Sequence, residues 1–303
     1  MADRLRLGTR GSALALAQAE LVAQALRARG ISVEVVTVRT TGDRDRSAGA
    51  LRRGSGIFVK ELEQALLGGR IDLAVHSAKD LPTAETDGVS VAAYLPRSDP
   101  RDALISRSGR EVADLPPGAR VGTDSPRRAA FLLALRPDLR IIGLRGNVDT
   151  RLRRLDAGSL DAIVVAAAGL QRLGLARRIT APLSPQVMLP AVGQGAVAVQ
   201  VRVDGSSSAL VASLDHLPTR QELVAERAFL RAVGGGCRAP IAALARVDGG
   251  RLVLEGAVVS PDGRSMVRDR AEGAVEMAEE LGSALGARLL ARGAAVLAGG
   301  GRT

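Results

Sequence analysis

Apolar residues recur along this chain in two alternating patterns, short β-branched runs and longer stretches at helical spacing. Leu5 and Leu7 alternate as in a short strand. After Gly8-Thr9-Arg10-Gly11-Ser12, the spacing of Leu14, Ala17, Leu21 and Ala25 predicts an amphipathic helix with Ser12 as its N-cap. Val33 to Val38 has the β-branched bias of a strand. Positions 42–56 are rich in Gly, Asp and Ser and carry Arg44, Arg46, Arg52 and Arg53, the composition of a long loop or lid. Phe58, Leu62, Ala65 and Leu66 predict the next helix, stopped at Gly68-Gly69. A strand from Ile71 to Val75 delivers His76-Ser77-Ala78-Lys79-Asp80. Another, Val89 to Ala93, leads into Pro96-Arg97-Ser98-Asp99-Pro100, which reads as a domain boundary.

The alternation then repeats. Arg120-Val121-Gly122 ends a strand, and Ser125 followed by Pro126 is a strong start signal for a helix running through Leu135. A strand at Ile141 to Leu144 meets Arg145-Gly146-Asn147, which opens a further helix. A strand from Asp161 to Ala166 is followed by Ala168 to Gly174. Leu189 to Gly195 reads as a second crossing, with a strand at Ala196 to Val201 after it. Beyond Pro218 the style changes. One helix runs to Val233, and strands are expected near 241–247, 251–259 and 264–270, joined by hairpin turns at Asp248-Gly249-Gly250 and Pro261-Asp262-Gly263. A last helix is expected from about Ala274. Helix, antiparallel strands, helix is the order of a small α+β domain.

Composition narrows the function. Over 303 residues the length suits two or three domains, and cores must be built from aliphatic residues because aromatics are only 1% of the chain. A single cysteine excludes an internal disulfide and a cysteine-built metal site, which fits a reducing cytoplasm. With only His76 and His216, no metal site is expected. No export signal and no membrane span are expected either. The net charge of +10 is carried almost wholly by arginine, since Lys60 and Lys79 are the only lysines. A basic balance calls for an anionic partner. Nucleic acid fits poorly, because stacking aromatics are missing and the arginines are dispersed. The guanidinium fork suits carboxylates or phosphates on a small polyanion.

Basic and hydroxyl residues gather at strand-to-helix turns: Arg10 and Ser12; Ser125, Arg127 and Arg128; Arg145, Asn147 and Arg151; and Arg172 beyond a further strand. Such turns lie at the carboxyl ends of strands in open α/β sheets, where ligands bind. In His76-Ser77-Ala78-Lys79-Asp80, Asp80 is the acid–base candidate and Lys79 a counter-charge for an anion, against the plainer role of a polar turn before Leu81-Pro82. His76 is expected to be a satisfied structural histidine and His216 part of a linker. The sole cysteine lies in Gly234-Gly235-Gly236-Cys237-Arg238-Ala239-Pro240. There it could be a nucleophile, an attachment point or an inert small side chain.

Together these residues resemble the porphobilinogen deaminase (hydroxymethylbilane synthase) family. The resemblance is carried by Arg10-Gly11-Ser12 with Leu14 to Gln18, Val75 to Pro82, Thr123 to Arg128, Leu144 to Val148, Ala168 to Gly174, Pro190 to Gly195 and Gly235-Gly236-Cys237. It implies two periplasmic-binding-protein-like α/β domains plus a smaller C-terminal α+β domain. Domain 1 would be 1–95 with 196–215, domain 2 would be 101–190 and the third 218–303, with hinges at 96–100 and 190–195. It also implies a transferase of tetrapyrrole biosynthesis that condenses four porphobilinogen molecules head to tail into hydroxymethylbilane, releasing ammonia. The chain would grow on a dipyrromethane cofactor held by a thioether to Cys237.

On this resemblance Lys79, Ser125, Arg127, Arg128 and Asp80 would contact the cofactor, and Arg10, Ser12, Arg145, Arg151 and Arg172 the substrate. Asp80 would be the catalytic carboxyl, acting chiefly as an anion that stabilises cationic pyrrole intermediates. The implied enzyme is a cytoplasmic monomer with porphobilinogen as partner and no metal, nucleic acid or membrane. Two departures stand out. Ser55 replaces a common lysine, for which Arg52 or Arg53 would be the substitutes, and Asp124 replaces a common serine and sets an acid among the arginines. A non-catalytic anion-binding protein and a nucleic-acid binder are the competing readings, and neither accounts for Asp80 and Cys237 together.

Overall fold

The computed structural model describes residues 4–38, 57–205, 207–234 and 239–299. Cys237 and the expected 42–56 loop, with Arg52, Arg53 and Ser55, lie outside the described residues. In chain order the first elements are β1 (Leu5–Thr9), α1 (Ala13–Arg27), β2 (Val33–Thr37), α2 (Ile57–Leu67), β3 (Leu73–Ser77), a 3₁₀ turn (Ala78–Asp80) and β4 (Val89–Tyr94). Then follow β5 (Asp102–Ser106), β6 (Arg120–Gly122), α3 (Pro126–Leu135), β7 (Arg140–Ile142), α4 (Val148–Asp156), β8 (Ala162–Ala166), α5 (Ala167–Arg172) and β9 (Ala181–Leu183). The chain continues through β10 (Val197–Arg202), α6 (Ser207–Ala212) and α7 (Leu217–Val233). It ends in β11 (Ile241–Asp248), β12 (Arg251–Val259), β13 (Met266–Ala274), α8 (Ala278–Ala291) and α9 (Ala294–Gly299). No helix among the described residues is long and apolar enough to cross a membrane.

Two compact units result. The first is Met1–Ser98 with Ala196–Arg220, the second Asp99–Gly195 with Gln221–Thr303. Unit 1 holds a mixed sheet of order β2-β1-β3-β10-β4. β1 runs parallel to β2 and β3, while β10 lies antiparallel between β3 and β4, so the strand after the second crossing does return to the first sheet. Unit 2 repeats this layout as β7-β6-β8-β5-β9, with β6 parallel to β7 and β8, and β5 antiparallel between β8 and β9. In each unit the antiparallel strand is the first one after a chain crossing. Its N-terminal end therefore sits beside the C-terminal ends of the parallel strands.

Unit 2 also contains the antiparallel sheet β11-β12-β13. Strand alternation explains why it joins that unit. Ile241, Ala243 and Ala245 point to the core shared with Phe229 of α7 and Leu285 and Leu289 of α8. Ala242, Leu244, Ala257 and Val259 point the other way, into a core with Phe131, Leu132 and Val164. β11 and the end of β12 are thus covered on both faces and read as near-continuous apolar runs, whereas β13 is a polar, largely exposed edge strand. β11 and β12 turn on Gly249-Gly250, both at positive φ (54° and 78°), as a two-residue hairpin requires.

Several boundaries differ from the sequence expectation. β13 starts at Met266 because residues 260–265 close a turn, with Ser260 N donating to Ser265 O. It then pairs along the whole of β12, which delays the last helix to Ala278. β5, β9 and α6 were not anticipated. His216 lies in the connector between α6 and α7, as expected of a linker, and caps α7, its Nδ1 accepting from Thr219 N at 3.3 Å.

α8 crosses α7 closely at Gly282, where an added methyl would press on the Ala225 carbonyl and come within 2.7 Å of Ala228 Cβ and 2.9 Å of Phe229 N. Gly282→Ala is therefore expected to lower stability by about 1–3 kcal/mol in urea unfolding. An unchanged midpoint would contradict this packing.

Candidate active site

In unit 1, Ser12 caps α1 as expected, its Oγ accepting from Ala15 N at 3.3 Å. The parallel register Leu7↔Leu73 and Gly8↔Ala74 sets the ends of β1 and β3 side by side, so Arg10 and the Ala78–Asp80 turn emerge at one edge of the sheet. That turn is fixed from behind. Ala78 N donates to Ala196 O at 3.0 Å, and the buried Gln18 amide bonds Ser77 Oγ at 2.9 Å. Lys79 and Asp80 are half-buried on this anchored turn.

His76 is buried, but it is not the satisfied histidine expected. Its Nε2 has no hydrogen-bond partner among the described residues, and neither has the buried Oε1 of the nearby Gln200. Burial pushes the ring pKa down to about 4; Gln200 opposes the shift and the Arg10 charge adds to it. The imidazole is neutral at physiological pH.

Unit 2 holds a larger constellation. Ser125 caps α3, accepting from Arg128 N, with Pro126 in the first turn. The parallel registers Gly122↔Ile142 and Gly122↔Ile163 bring the ends of β6, β7 and β8 to one edge. Asp102, the first residue of β5, pairs with Ala166 at that same edge. It is fully buried. Its Oδ2 accepts from Arg127 Nη2 at 2.7 Å, and its Oδ1 from Arg128 Nε at 2.8 Å and Gln194 Nε2 at 3.0 Å. Burial raises the Asp102 pKa, but the two guanidinium charges and the hydrogen bonds outweigh it and hold the carboxyl at about 2.

The other arginines lie beyond the ends of β7 and β8. Arg151 donates from Nε to Gly146 O at 2.8 Å, and burial together with the Arg128 charge pushes its pKa down to about 10, against the pull of Asp124. Arg172 donates to Gly195 O at 2.6 Å and is also shifted down by burial. Arg145 donates from Nε to Asp124 Oδ2 at 3.0 Å, so Asp124 does stand among the arginines. Among the described residues, Asp102 pairs with Arg127 and Arg128, and Asp124 pairs with Arg145 and acts on Arg151. The first turn of α3 carries no acid, and its helix dipole adds to the positive field. A surplus of guanidinium forks at one sheet edge suits an anion such as a carboxylate or phosphate. Among the described residues no group of three or more His, Cys, Asp or Glu could hold a metal.

Asp102 and Gln194 escaped the sequence reading. Asp102 follows a boundary-like Pro100-Arg101, and Gln194 lies between two glycines of the second crossing. The usable signal was Arg127-Arg128 itself, since two neighbouring cations at a helix start need an acid from elsewhere.

Residues 5–209 match the family model described as porphobilinogen deaminase, dipyromethane cofactor binding domain, and residues 220–291 match porphobilinogen deaminase, C-terminal domain. The chain is 50% identical over 305 residues to the porphobilinogen deaminase of Roseiflexus castenholzii, covering 99% of this chain and 100% of that protein. It is 50% identical over 292 residues to that of Desulforudis audaxviator, covering 95% and 94%. Among solved structures, a periplasmic substrate-binding protein of an ABC transporter from Coxiella burnetii overlaps weakly, with a TM-score of 0.43 and 18% identity over 69% of this chain and 91% of that one.

Asp102→Asn would strand two buried guanidinium groups, and urea unfolding is expected to show a loss of about 3–5 kcal/mol. Because the folded pKa is about 2, below the ordinary aspartate value near 4, this carboxyl stabilises the fold above pH 4 and the contribution fades as pH falls toward 2. Acid unfolding of the native chain should show that limb and the variant should lack it. Equal stability of the two proteins would contradict the clamp.

Proposed function

The chain belongs to the porphobilinogen deaminase family, and from that premise we propose which of its residues bind and which react. The activity is that of the family: porphobilinogen deaminase, also called hydroxymethylbilane synthase, with a dipyrromethane cofactor-binding domain. Substrate and cofactor are both rich in carboxylates. The excess of guanidinium groups in unit 2 carries the proposal, because it is a donor set that suits such a ligand. Arg127 Nε, a buried donor with no partner among the described residues, adds to the fit.

In this reading Cys237, outside the described residues, carries the cofactor by a thioether, and Lys79, Asp80, Ser125, Arg127 and Arg128 hold it. The dipyrromethane supplies the acceptor pyrrole on which the chain grows. Arg128 works partly through charge, and Arg127, with Nη donors spent on Leu189 O and Asp102, chiefly so. Arg10, Ser12, Arg145, Arg151 and Arg172 take the acetate and propionate groups of porphobilinogen and orient its ring. Asp80 is the catalytic carboxylate. It accepts the pyrrole N–H of porphobilinogen and stabilises the positive charge that develops on that ring as the aminomethyl nitrogen leaves as ammonia. The anchoring of its turn through Ala78 and Ser77 supports this role, since a fixed charge needs no reorganisation.

The domain division we propose is finer than the two units. Residues 1–95 with 196–215 form one α/β domain, 101–190 a second and 218–303 a third, with hinges at 96–100 and 190–195. The separate hydrogen-bonded sheets support that division. A thiol that must stay reduced until it is alkylated suits the cytoplasm, and the enzyme is taken to act there as a monomer.

Intact-mass spectrometry of purified active protein is expected to show two pyrrole units beyond the sequence mass, and Cys237→Ser should lack them. Asp80→Asn should keep a native circular dichroism spectrum and lose about 10²- to 10⁴-fold in kcat. An active preparation at the bare sequence mass, or an Asp80→Asn variant with near-native kcat, would overturn the assignment.

A further inference from the structure

Two acids serve the guanidinium cluster of unit 2, and they are held very differently. Asp102 is buried and saturated by three donors. Asp124 keeps 42% of its side chain exposed, and among the described residues its one hydrogen bond comes from Arg145 Nε at 3.0 Å. Arg145 is itself 52% exposed, and its remaining N–H groups donate to no described residue.

The turn that carries Asp124 does not depend on its carboxylate. Thr123 Oγ1 accepts from Ser125 N at 3.2 Å, and Ser125 Oγ accepts from Arg128 N at 3.4 Å. Asp124 also acts electrostatically on Arg151, a largely buried cation that feels the Arg128 charge. An acid held by a single exposed bond, facing two anion-binding cations, is placed to be exchanged.

We infer that Asp124 is a displaceable stand-in for a substrate carboxylate. It occupies Arg145 while the subsite is empty, gives way when a carboxylate of porphobilinogen arrives, and so sets the affinity and selectivity of that subsite. The inference rests on the reading of Arg145 as a substrate-binding residue. Its consequence is a trade. An incoming carboxylate must compete with a tethered one, so apparent affinity falls by the fraction of sites in which Arg145 is free. In return, a small inorganic anion gains little by displacing an intramolecular partner. A substrate anchored elsewhere by a second carboxylate wins through its high effective concentration.

Steady-state kinetics of the holoenzyme with porphobilinogen test this, using Asp124→Asn, Asp124→Ser, Arg145→Gln and the Asp124→Asn/Arg145→Gln double variant, with and without sulfate. Either Asp124 variant is expected to lower KM about two- to fivefold, the range an exposed ion pair can supply. Each should also make the enzyme easier to inhibit with sulfate. Arg145→Gln is expected to raise KM, and in its background the gain from Asp124→Asn should vanish. If Arg145→Gln raises KM but the Asp124 variants leave it unchanged or raise it, the stand-in role is overturned and Arg145 remains a substrate ligand. If Arg145→Gln leaves KM unchanged, the reading of Arg145 fails and the inference falls with it.

Discussion

One carboxylate, that of Asp102, fixes the arrangement of the clustered guanidinium groups of unit 2. Neighbouring residues on a helix point about 100° apart, so Arg127 and Arg128 can share an acid only if it lies across the start of α3. β5 supplies it, because an antiparallel strand that begins where the parallel strands end puts its first residue at that edge. Gln194 from the second crossing and the Leu189 carbonyl complete the clamp. Three separate segments converge on one buried charge group. Breaking such a pair costs about 3–5 kcal/mol, whereas an exposed pair like Asp124 with Arg145 is worth about 0–1 kcal/mol. The first is a fixture and the second can open. The magnitudes alone divide the acids of the cluster into a permanent partner and an exchangeable one.

The two α/β units share a strand layout yet place different chemistry at the same edge. Unit 1 offers an anchored turn with Lys79 and Asp80, and Arg10 at the neighbouring strand end. Unit 2 offers surplus guanidinium charge and an acid-free helix start. That division suits a reaction whose substrate is bound by its carboxylates and reacts at a ring whose developing charge is positive. Under the proposed assignment, cations receive the carboxylates and the Asp80 anion meets the charge that develops on the ring.

Local signals in the sequence were readable wherever they were self-contained. Ser125-Pro126 marked the start of α3, Arg120 to Gly122 was a strand as read, and Gly249-Gly250 turned a hairpin. Signals that depend on distant partners were not. β5 is a short strand whose neighbour β8 lies some sixty residues on, and its leading Asp102 looked like part of a polar boundary. The run Ile241 to Ala245 announced a buried strand without saying that its second face packs on Phe131 and Leu132. At the site, residue type picked out the arginines but could not rank them. Burial separates Arg127 and Arg128, at 4% and 6% exposed, from the open Arg145. The buried Nε2 of His76, without a hydrogen-bond partner among the described residues, had no counterpart in the sequence.

The central claim is that carboxylates of a pyrrole chain are received at these strand ends. A crystal structure of the cofactor-loaded protein tests it most directly. The account predicts cofactor carboxylates within hydrogen-bond distance of Lys79, Ser125 and Arg128, pyrrole nitrogens on the Asp80 carboxylate, and Asp102 still clamped between Arg127 and Arg128. Carboxylates bound away from these residues, or an Asp80 facing no ring nitrogen, would contradict it.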